Sequence, residues 1–530
     1  MGEWRRAGST GLHNRINFMG PEMDGTRVTT AFVRIAFFVR SETREFQLAQ
    51  ARELKRRFGS ELHLYCGDPQ KTAFYRKRDT EGLFASINGS MVLLETAVEP
   101  VADEADLMRR ANDLEHRLGT TINRLTVGNR HLGRGYALGA YNFPLSRFAI
   151  KSNHAQIVQA FVTTLAFWEK EFTDKRITLV INGQREAAAV ARMMEIPYRS
   201  MIETRYRNTQ TWMHDEFDYT PEIEAAFARD GLPETPGIDM PYESHIRLSA
   251  AIIPSTTFKG MVKKVAYLTA RQIYWRLRGF WKARSYLYRE NVRFVYRCWR
   301  EFRRLRAMAD GKLSDLAGRR FAYYPLHYEP ERALQGISPE YFYQLSSITA
   351  VSRDLPAGVL LVVKDQFYGV AARPHDFYAQ IKELKNVFML DPLERGLEVV
   401  KAADVVVTIC GTSGFEAAAL GKPVIAFGRH NTYNFLPHVQ TVTDEAVLPG
   451  LLRDALDGGG ATERSRRDGR RFLNAIDACA FDMRGYTHVD LNSFDPASVV
   501  DSIDTLEHSL KPTNIAVRGQ AMAATGDQAT

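Results

Sequence analysis

The run Asp404-Val-Val-Val-Thr-Ile-Cys-Gly-Thr-Ser-Gly-Phe-Glu-Ala-Ala-Ala-Leu-Gly-Lys-Pro-Val-Ile425 concentrates residue types that hold anions. Gly411 and Gly414 let the backbone turn sharply and approach a ligand closely. Thr412 and Ser413 add hydroxyls. The N–H groups at the start of the following helix lack intrahelical partners and can point at negative charge. Glu416 lies on the first turn of that helix, where a carboxylate can accept hydrogen bonds from ribose or sugar hydroxyls. Ser413 and Glu416 also spell the Ser-x-x-Glu capping box, so the same two residues could simply close the helix start.

Other chemistries are excluded by what is missing. There is no Gly-x-x-x-x-Gly-Lys-Ser/Thr phosphate loop, no Gly-x-Gly-x-x-Gly fingerprint, no His-Glu-x-x-His and no Gly-x-Ser-x-Gly elbow. The cysteines, Cys66, Cys298, Cys410 and Cys479, are far apart, which rules out a local zinc knuckle or a Cys-x-x-Cys redox pair. They also argue against a disulfide scaffold and for a reducing compartment.

The glycine-and-hydroxyl turn needs a frame, and the surrounding pattern supplies one. Phe321–Leu326, Gly358–Lys364, Asn386–Leu390, Asp404–Ile409 and Pro423–Phe427 read as strands. They alternate with helices over Tyr341–Ser352, Leu397–Ala403 and Gly414–Leu420. Alternation at this spacing predicts a doubly wound parallel sheet. The first half repeats the theme: strands at Arg34–Val39, Glu61–Tyr65 and Arg176–Ile181, helices at Phe46–Phe58, Ala155–Glu171 and Arg185–Met194, and an extended segment at Tyr198–Thr204. Met91–Leu94 is a further predicted strand, His131–Tyr136 a glycine-rich loop, and 215–255, rich in Pro, Asp and Glu, reads as loops and linker.

At 530 residues the chain is too long for one ordinary core, and 45% hydrophobic with 25% charged residues is a globular composition. The expected division is a disordered head at 1–26, an N-terminal domain at 27–255, a basic helical segment at 256–312, a C-terminal domain at 313–509 and a disordered tail at 510–530. The polar, basic start does not read as a signal peptide, and no stretch reaches the ~20 apolar residues of a membrane span.

The net charge of +8 is unevenly placed. Between Lys259 and Arg306 stand fifteen Lys or Arg against Glu290 and Glu301, interleaved with aromatic residues. Tyr288, Val292, Val295, Trp299 and Phe302 share one helical stripe, and Arg289, Arg293, Arg297, Arg300 and Arg304 another. This predicts one or two basic amphipathic helices. Their apolar stripe either packs on the protein or attaches 258–308 to an anionic membrane surface. Nucleic acid ranks lower because no nucleic-acid-binding motif accompanies the helices.

With Tyr324-Pro-Leu-His-Tyr-Glu-Pro-Glu331 and Val362-Val-Lys-Asp-Gln-Phe-Tyr-Gly-Val-Ala-Ala-Arg-Pro-His-Asp-Phe-Tyr378, the stretch Thr408–Phe427 resembles the capsular polysaccharide and surface-carbohydrate biosynthesis family, a group with GT-B-like glycosyltransferases. The resemblance covers about 320–445 well and the N-terminal half loosely. It implies an α/β fold of two Rossmann-like domains facing across a cleft, the first for the acceptor and the second for the donor, with the basic helices as an insertion. UDP-N-acetylglucosamine 2-epimerases share the fold.

By that resemblance the chain is a cytoplasmic glycosyltransferase of bacterial capsule or surface polysaccharide. It is expected at the inner face of the plasma membrane as a peripheral protein. Its co-substrate is a nucleotide sugar and its acceptor a glycan or lipid-linked glycan, with no other cofactor, no metal and no nucleic acid. Gly411, Thr412, Ser413, Gly414, Glu416, Lys364 and Gln366 would bind the donor. His327 and Glu331 match the family's Pro-Leu-His and Pro-Glu positions. His327 could bind phosphate, move a proton or merely bond loop backbone. The family usually has Lys-Glu-His-Pro after the strand that ends here at Lys364, its His-Pro holding the phosphate of a CMP-activated sugar. Asp365, Gln366 and Phe367 stand there instead, and a glutamine cannot carry charge or transfer a proton. That departure leaves open a changed donor or a non-catalytic scaffold, beside the epimerase alternative. For the N-terminal half the candidates are Glu186 for catalysis, Arg134 and Arg205 for acceptor or phosphate, and Glu203. No base is singled out.

Overall fold

The computed structural model describes residues 30–40, 43–67, 69–90, 93–129, 131–132, 144–229, 231, 253–279, 287–328, 333–366, 370–483 and 493–511. The expected head, most of the tail, Arg134 with most of its glycine-rich loop, and Glu331 lie outside the described residues.

The first sheet is built on short apolar runs: β1 (Arg34–Phe38), β2 (Glu61–Cys66), β3 (Ser86–Gly89), β4 (Leu179–Ile181), β5 (Tyr198–Glu203) and β6 (Thr209–Met213). β1, β2, β4 and β6 are buried almost throughout, as expected of strands covered on both faces. Helices α1 (Arg44–Phe58), α2 (His154–Asp174), α3 (Arg185–Met193) and α4 (Pro221–Ala228) belong to this half. The start of α2 is fixed by a capping box between Asn153 and Gln156.

Two helices follow, α5 (Phe258–Leu277) and α6 (Tyr288–Met308). They pack on each other, with a Thr269–Tyr288 hydroxyl contact of 2.7 Å between them. The second sheet then forms from β7 (Phe321–Pro325), β8 (Leu360–Lys364), β9 (Val387–Met389), β10 (Val405–Thr408), β11 (Val424–Ala426) and β12 (Val439–Thr441). Its helices include α7 (Leu345–Asp354), α8 (Thr412–Ala419) and α9 (Glu463–Cys479). Last come β13 (Phe481–Asp482) and α10 (Pro496–Ser509).

The second sheet has the order β12-β11-β10-β7-β8-β9 with every pair parallel. The first runs β13-β6-β5-β4-β1-β2-β3, parallel from β5 to β3 and antiparallel at β6 and β13. Both wind outward in two directions from a central strand, the doubly wound pattern. The chain is thus an α/β protein of GT-B-like architecture.

Three expectations are corrected. Leu93–Thr96 is a helical turn, and the edge strand is Ser86–Gly89, whose Ser-Ile-Asn-Gly lacks an apolar run because it is only half-buried. Within 215–255, Pro221–Ala228 is a helix with proline in its first turn, burying Ile223, Ala226 and Phe227. Those side chains join a core cluster made mostly of second-domain residues, so α4 belongs to the junction. The domain drawn as 313–509 ends earlier in space. β13 pairs with β6, and α10 packs on α1, so these two elements belong to the first domain. There Trp212 Nε1 donates to the Ser502 carbonyl (2.9 Å), Gln50 Nε2 to Ser502 Oγ (2.8 Å) and Arg199 Nε to Ser509 Oγ (2.9 Å).

Candidate active site

In a doubly wound sheet the winding reverses between two central strands, and the loops leaving their carboxyl ends diverge to open a crevice. In the second sheet those strands are β7 and β10. His327 follows β7, Gly411–Glu416 follow β10, and Lys364 ends β8, the neighbour of β7. Three stretches far apart in sequence thus meet at one sheet edge.

Gly411 precedes α8 with φ 123°, a conformation that favours glycine, and a Cβ there would meet His327 Nε2 at 3.4 Å. Gly411 is itself the cap, and no side chain caps this helix. The capping-box alternative for Ser413 and Glu416 is therefore not realised. Both lie inside the helix, and Ser413 bonds the buried Tyr323 instead. The first N–H groups of the helix have no intrahelical acceptor. Gly414 is required by packing, since a Cβ would come within 2.3 Å of Tyr433 Oη and 2.7 Å of Thr408 Cγ2.

His327 is buried and anchored. Its Nε2 accepts from the Cys410 amide at 3.0 Å and touches the Thr408 hydroxyl at 3.2 Å and the Cys410 carbonyl. Its backbone exchanges hydrogen bonds with the Gln344 side chain (2.8 and 3.0 Å). Burial pushes its pKa down to about 3. The Gln344 hydrogen bond opposes this, and the Arg373 and Arg205 charges add to it. A neutral imidazole so held positions the Gly411 turn, leaving Nδ1 as its one buried unpartnered atom.

Lys364 is 8% exposed. Its Nζ reaches only the Asp365 carbonyl, at 3.3 Å, and pairs with no carboxylate among the described residues. Burial lowers its pKa, with Asp365, Glu394, Asp391 and Glu416 opposing. Glu416 is 7% exposed. Burial pushes its carboxyl up to about 7, against the pull of Arg205, Lys364 and Lys401. An amine and a carboxyl, each pushed by burial toward its neutral form, therefore share the crevice without a direct ion pair, an arrangement that leaves both able to engage a ligand.

Arg373 was not singled out from the sequence. Its guanidinium grips Asp365 through two 2.8 Å contacts, both side chains fully buried, and donates to the His327 carbonyl at 2.7 Å. Tyr378 Oη donates to the same carboxylate. Asp365 is thereby spent on tying the β7 and β8 loops together. The Gln366 amide also donates to it, at 2.7 Å.

The first domain brings its own carboxyl edge to this crevice. Arg205 sits in the β5–β6 hairpin at φ 68°, left-handed backbone that is costly for a non-glycine residue. From there its charge acts on His327, Glu416 and Tyr433 of the second domain. Glu186 lies on the first turn of α3, just beyond β4, at the switch point of the first sheet. Burial raises its pKa, while a backbone hydrogen bond, Arg185 and a bond from Asn129 oppose. Glu203 ends β5, half-buried. Arg185 spans the junction, donating to the carbonyls of Gly128 (2.8 Å) and Gly336 (2.6 Å). Phe217 stacks on His430 at 4.8 Å, and Arg124 pairs with Glu340 at 2.5 Å. Glu216, 3% exposed, pairs with Arg192 through one oxygen and leaves the other unpartnered. No group of three or more metal-ligating side chains occurs among the described residues.

No family model matches the sequence, and no curated protein matches it. Among solved structures the chain is similar to Thermosulfurimonas dismutans KpsC, a beta Kdo 2,4 transferase, at 14% identity over 56% of this chain and 79% of that one, TM-score 0.28. It is similar to CalG4, the calicheamicin glycosyltransferase, at 12% identity over 91% and 99% of the two chains, TM-score 0.28. It is also similar to the UDP-GlcNAc 2-epimerase of Methanocaldococcus jannaschii, at 10% identity over 84% and 99%, TM-score 0.25. At these TM-scores the likenesses carry no argument, and the architecture rests on the two sheets themselves.

Proposed function

We propose that the chain is a glycosyltransferase that uses a nucleotide-activated sugar to build a capsular or surface polysaccharide. The observation that carries this reading is Lys364, a buried amine without a carboxylate partner among the described residues, placed at the switch point with a helix start that no side chain caps. Such a site is incomplete without an anion, and a nucleotide phosphate supplies it. Glu416 accepts hydroxyls of the ribose or sugar. The sugar and the acceptor's place in surface polysaccharide come from the resemblance over 320–445.

In the transfer, an acceptor hydroxyl oxygen attacks the anomeric carbon and the bond from that carbon to the phosphate oxygen breaks. The nucleotide leaves as an anion stabilised by Lys364, Arg205 and the α8 N–H groups. The acceptor proton passes to a carboxylate of the first domain. Glu186 is the base we assign, because its raised pKa and its position at the opposing switch point suit proton uptake. His327 and Arg373 are positioning residues. The acceptor is a glycan or lipid-linked glycan, met at an anionic membrane surface through 258–308.

A second reading, a non-catalytic scaffold, is favoured by one observation: Asp365 is consumed by Arg373 and Tyr378, with Gln366 beside it. Thermal shift separates the two. A nucleotide among CMP, UDP, GDP, dTDP and ADP at about 100 times its dissociation constant adds about 2.7 kcal/mol of stability. That shift is expected with one nucleotide class and is expected to vanish in Glu416→Ala and Lys364→Met. Silence with all five nucleotides favours the scaffold.

A further inference from the structure

We infer that α5, rather than the arginine-striped α6, is the element that inserts into an anionic lipid surface. This deepens the membrane placement proposed above and rests on that reading. α6 behaves as a bracket. Its Phe302 and Leu305 are buried in the core of the second domain, and Trp299 is only half-exposed. Its apolar stripe is therefore largely spent on the protein.

α5 is different. Only Met261 and Leu268 of its residues are buried. On another face Val262, Ile273 and Leu277 are 47%, 54% and 82% exposed, and Ala266, exposed as well, continues the line between them. The spacing of four, seven and four residues keeps them on one stripe. Tyr267 and Tyr274, also exposed, border it. Water gives no reason to leave a helix-long aliphatic stripe uncovered.

Charge decides what covers it. α5 contains Lys259, Lys263, Lys264, Arg271 and Arg276 and no acid. Lys259, Lys263, Lys264 and Arg276 make no ion pair among the described residues. A second copy would bring two cationic faces together, which repels. A nucleic acid would satisfy the lysines and leave the aliphatic stripe in water. An anionic bilayer satisfies both, with phosphates meeting the lysines and acyl chains the stripe. No described helix is long and apolar enough to cross a membrane, so α5 lies in the interface plane.

The test is flotation of the full chain with vesicles of phosphatidylcholine alone or mixed with phosphatidylglycerol. It needs no nucleotide and no turnover, so its result is independent of whether the chain is a transferase. Binding is expected only to the anionic vesicles and is expected to weaken with salt. Ile273→Glu/Leu277→Glu is expected to lower it about 10-fold or more, and Lys263→Gln/Lys264→Gln by roughly 10-fold or more. All four positions are exposed, so the melting temperature of each variant is expected to match the parent. Equal binding to neutral vesicles, or unchanged binding by the Glu variant, overturns the proposal. So does a dimer that this variant dissolves, or binding to an oligonucleotide but not to vesicles.

Discussion

Glu416 and His327 carry opposite pH signatures a few residues' reach apart. The Glu416 carboxyl ionises near 4.5 in an unfolded chain and, through burial, at about 7 when folded. Between those values the folded chain holds a proton that the unfolded chain has lost. Stability from this group is thus fully present below about 4.5 and is lost as pH rises through about 7, by about 3 kcal/mol in all. His327 runs the other way. Its folded pKa falls to about 3, from 6.5, chiefly by burial, so its contribution is present above 6.5 and is lost as pH falls toward 3. Glu416→Gln keeps the shape and removes only the first term. Denaturant melts are expected to show the variant level with the parent at pH 4.5 and more stable by about 3 kcal/mol at pH 8. An equal difference at both pH values would contradict a raised carboxyl. The chemistry of this residue was legible because Gly-Thr-Ser-Gly-x-Glu follows a run of buried β-branched residues. Arg373 was not, because one arginine in an unpatterned loop gives no sign of which carboxylate it will grip.

At the scale of elements, the patterned strands of the second half were the most legible, and the least legible was the ending of the chain. Nothing in Pro496–Ser509 tells which sheet it will cover. Its apolar positions suit either domain, and proximity in sequence favours the second. The structure sends it to the first, where Ile503 and Leu506 are fully buried against the cluster that holds Phe46, Leu62 and Trp212. Each such side chain is worth roughly 1.5–3 kcal/mol of burial. Trp212 also gives its indole N–H to Ser502. Removing the chain from Asp495 onward is therefore expected to destabilise the first sheet and spare the second. Hydrogen exchange checks this. α1, β1 and β6 should lose protection, while β8, β10 and β11 keep it. Equal loss in both sheets would mean that the helix supports the whole molecule, and no loss that its contacts are idle.

The two sheets were legible as a pair, yet their junction was not, because it is made by one short helix inside a Pro- and acid-rich stretch and by isolated polar residues, neither of which shows a pattern. Three kinds of contact hold it. On one side α4 packs against α9, with Arg471 donating to the Phe227 carbonyl at 3.0 Å. β13 pairs with the first sheet and α10 packs on α1. At the facing carboxyl edges stands Arg185, whose guanidinium serves backbone carbonyls of both domains and reaches toward a third at Glu216 (3.5 Å). A planar fork can join several acceptors, and a lysine cannot reproduce it. Interfaces between domains are small enough for one such clamp to matter, and relative motion is the default when it is gone. Arg185→Ala and Arg185→Lys are both expected to leave each core folded and to let the crevice open. Small-angle scattering should then show the radius of gyration rising by about 1 Å or more above a compact value of about 24 Å. If nucleotide bridges the crevice, adding it should reverse part of the rise. An unchanged radius in both variants would assign the closed arrangement to the other junction contacts, the α4–α9 packing, the Phe217–His430 stack and the Arg124–Glu340 pair, and Arg185 would then be only a brace for the 333–337 turn.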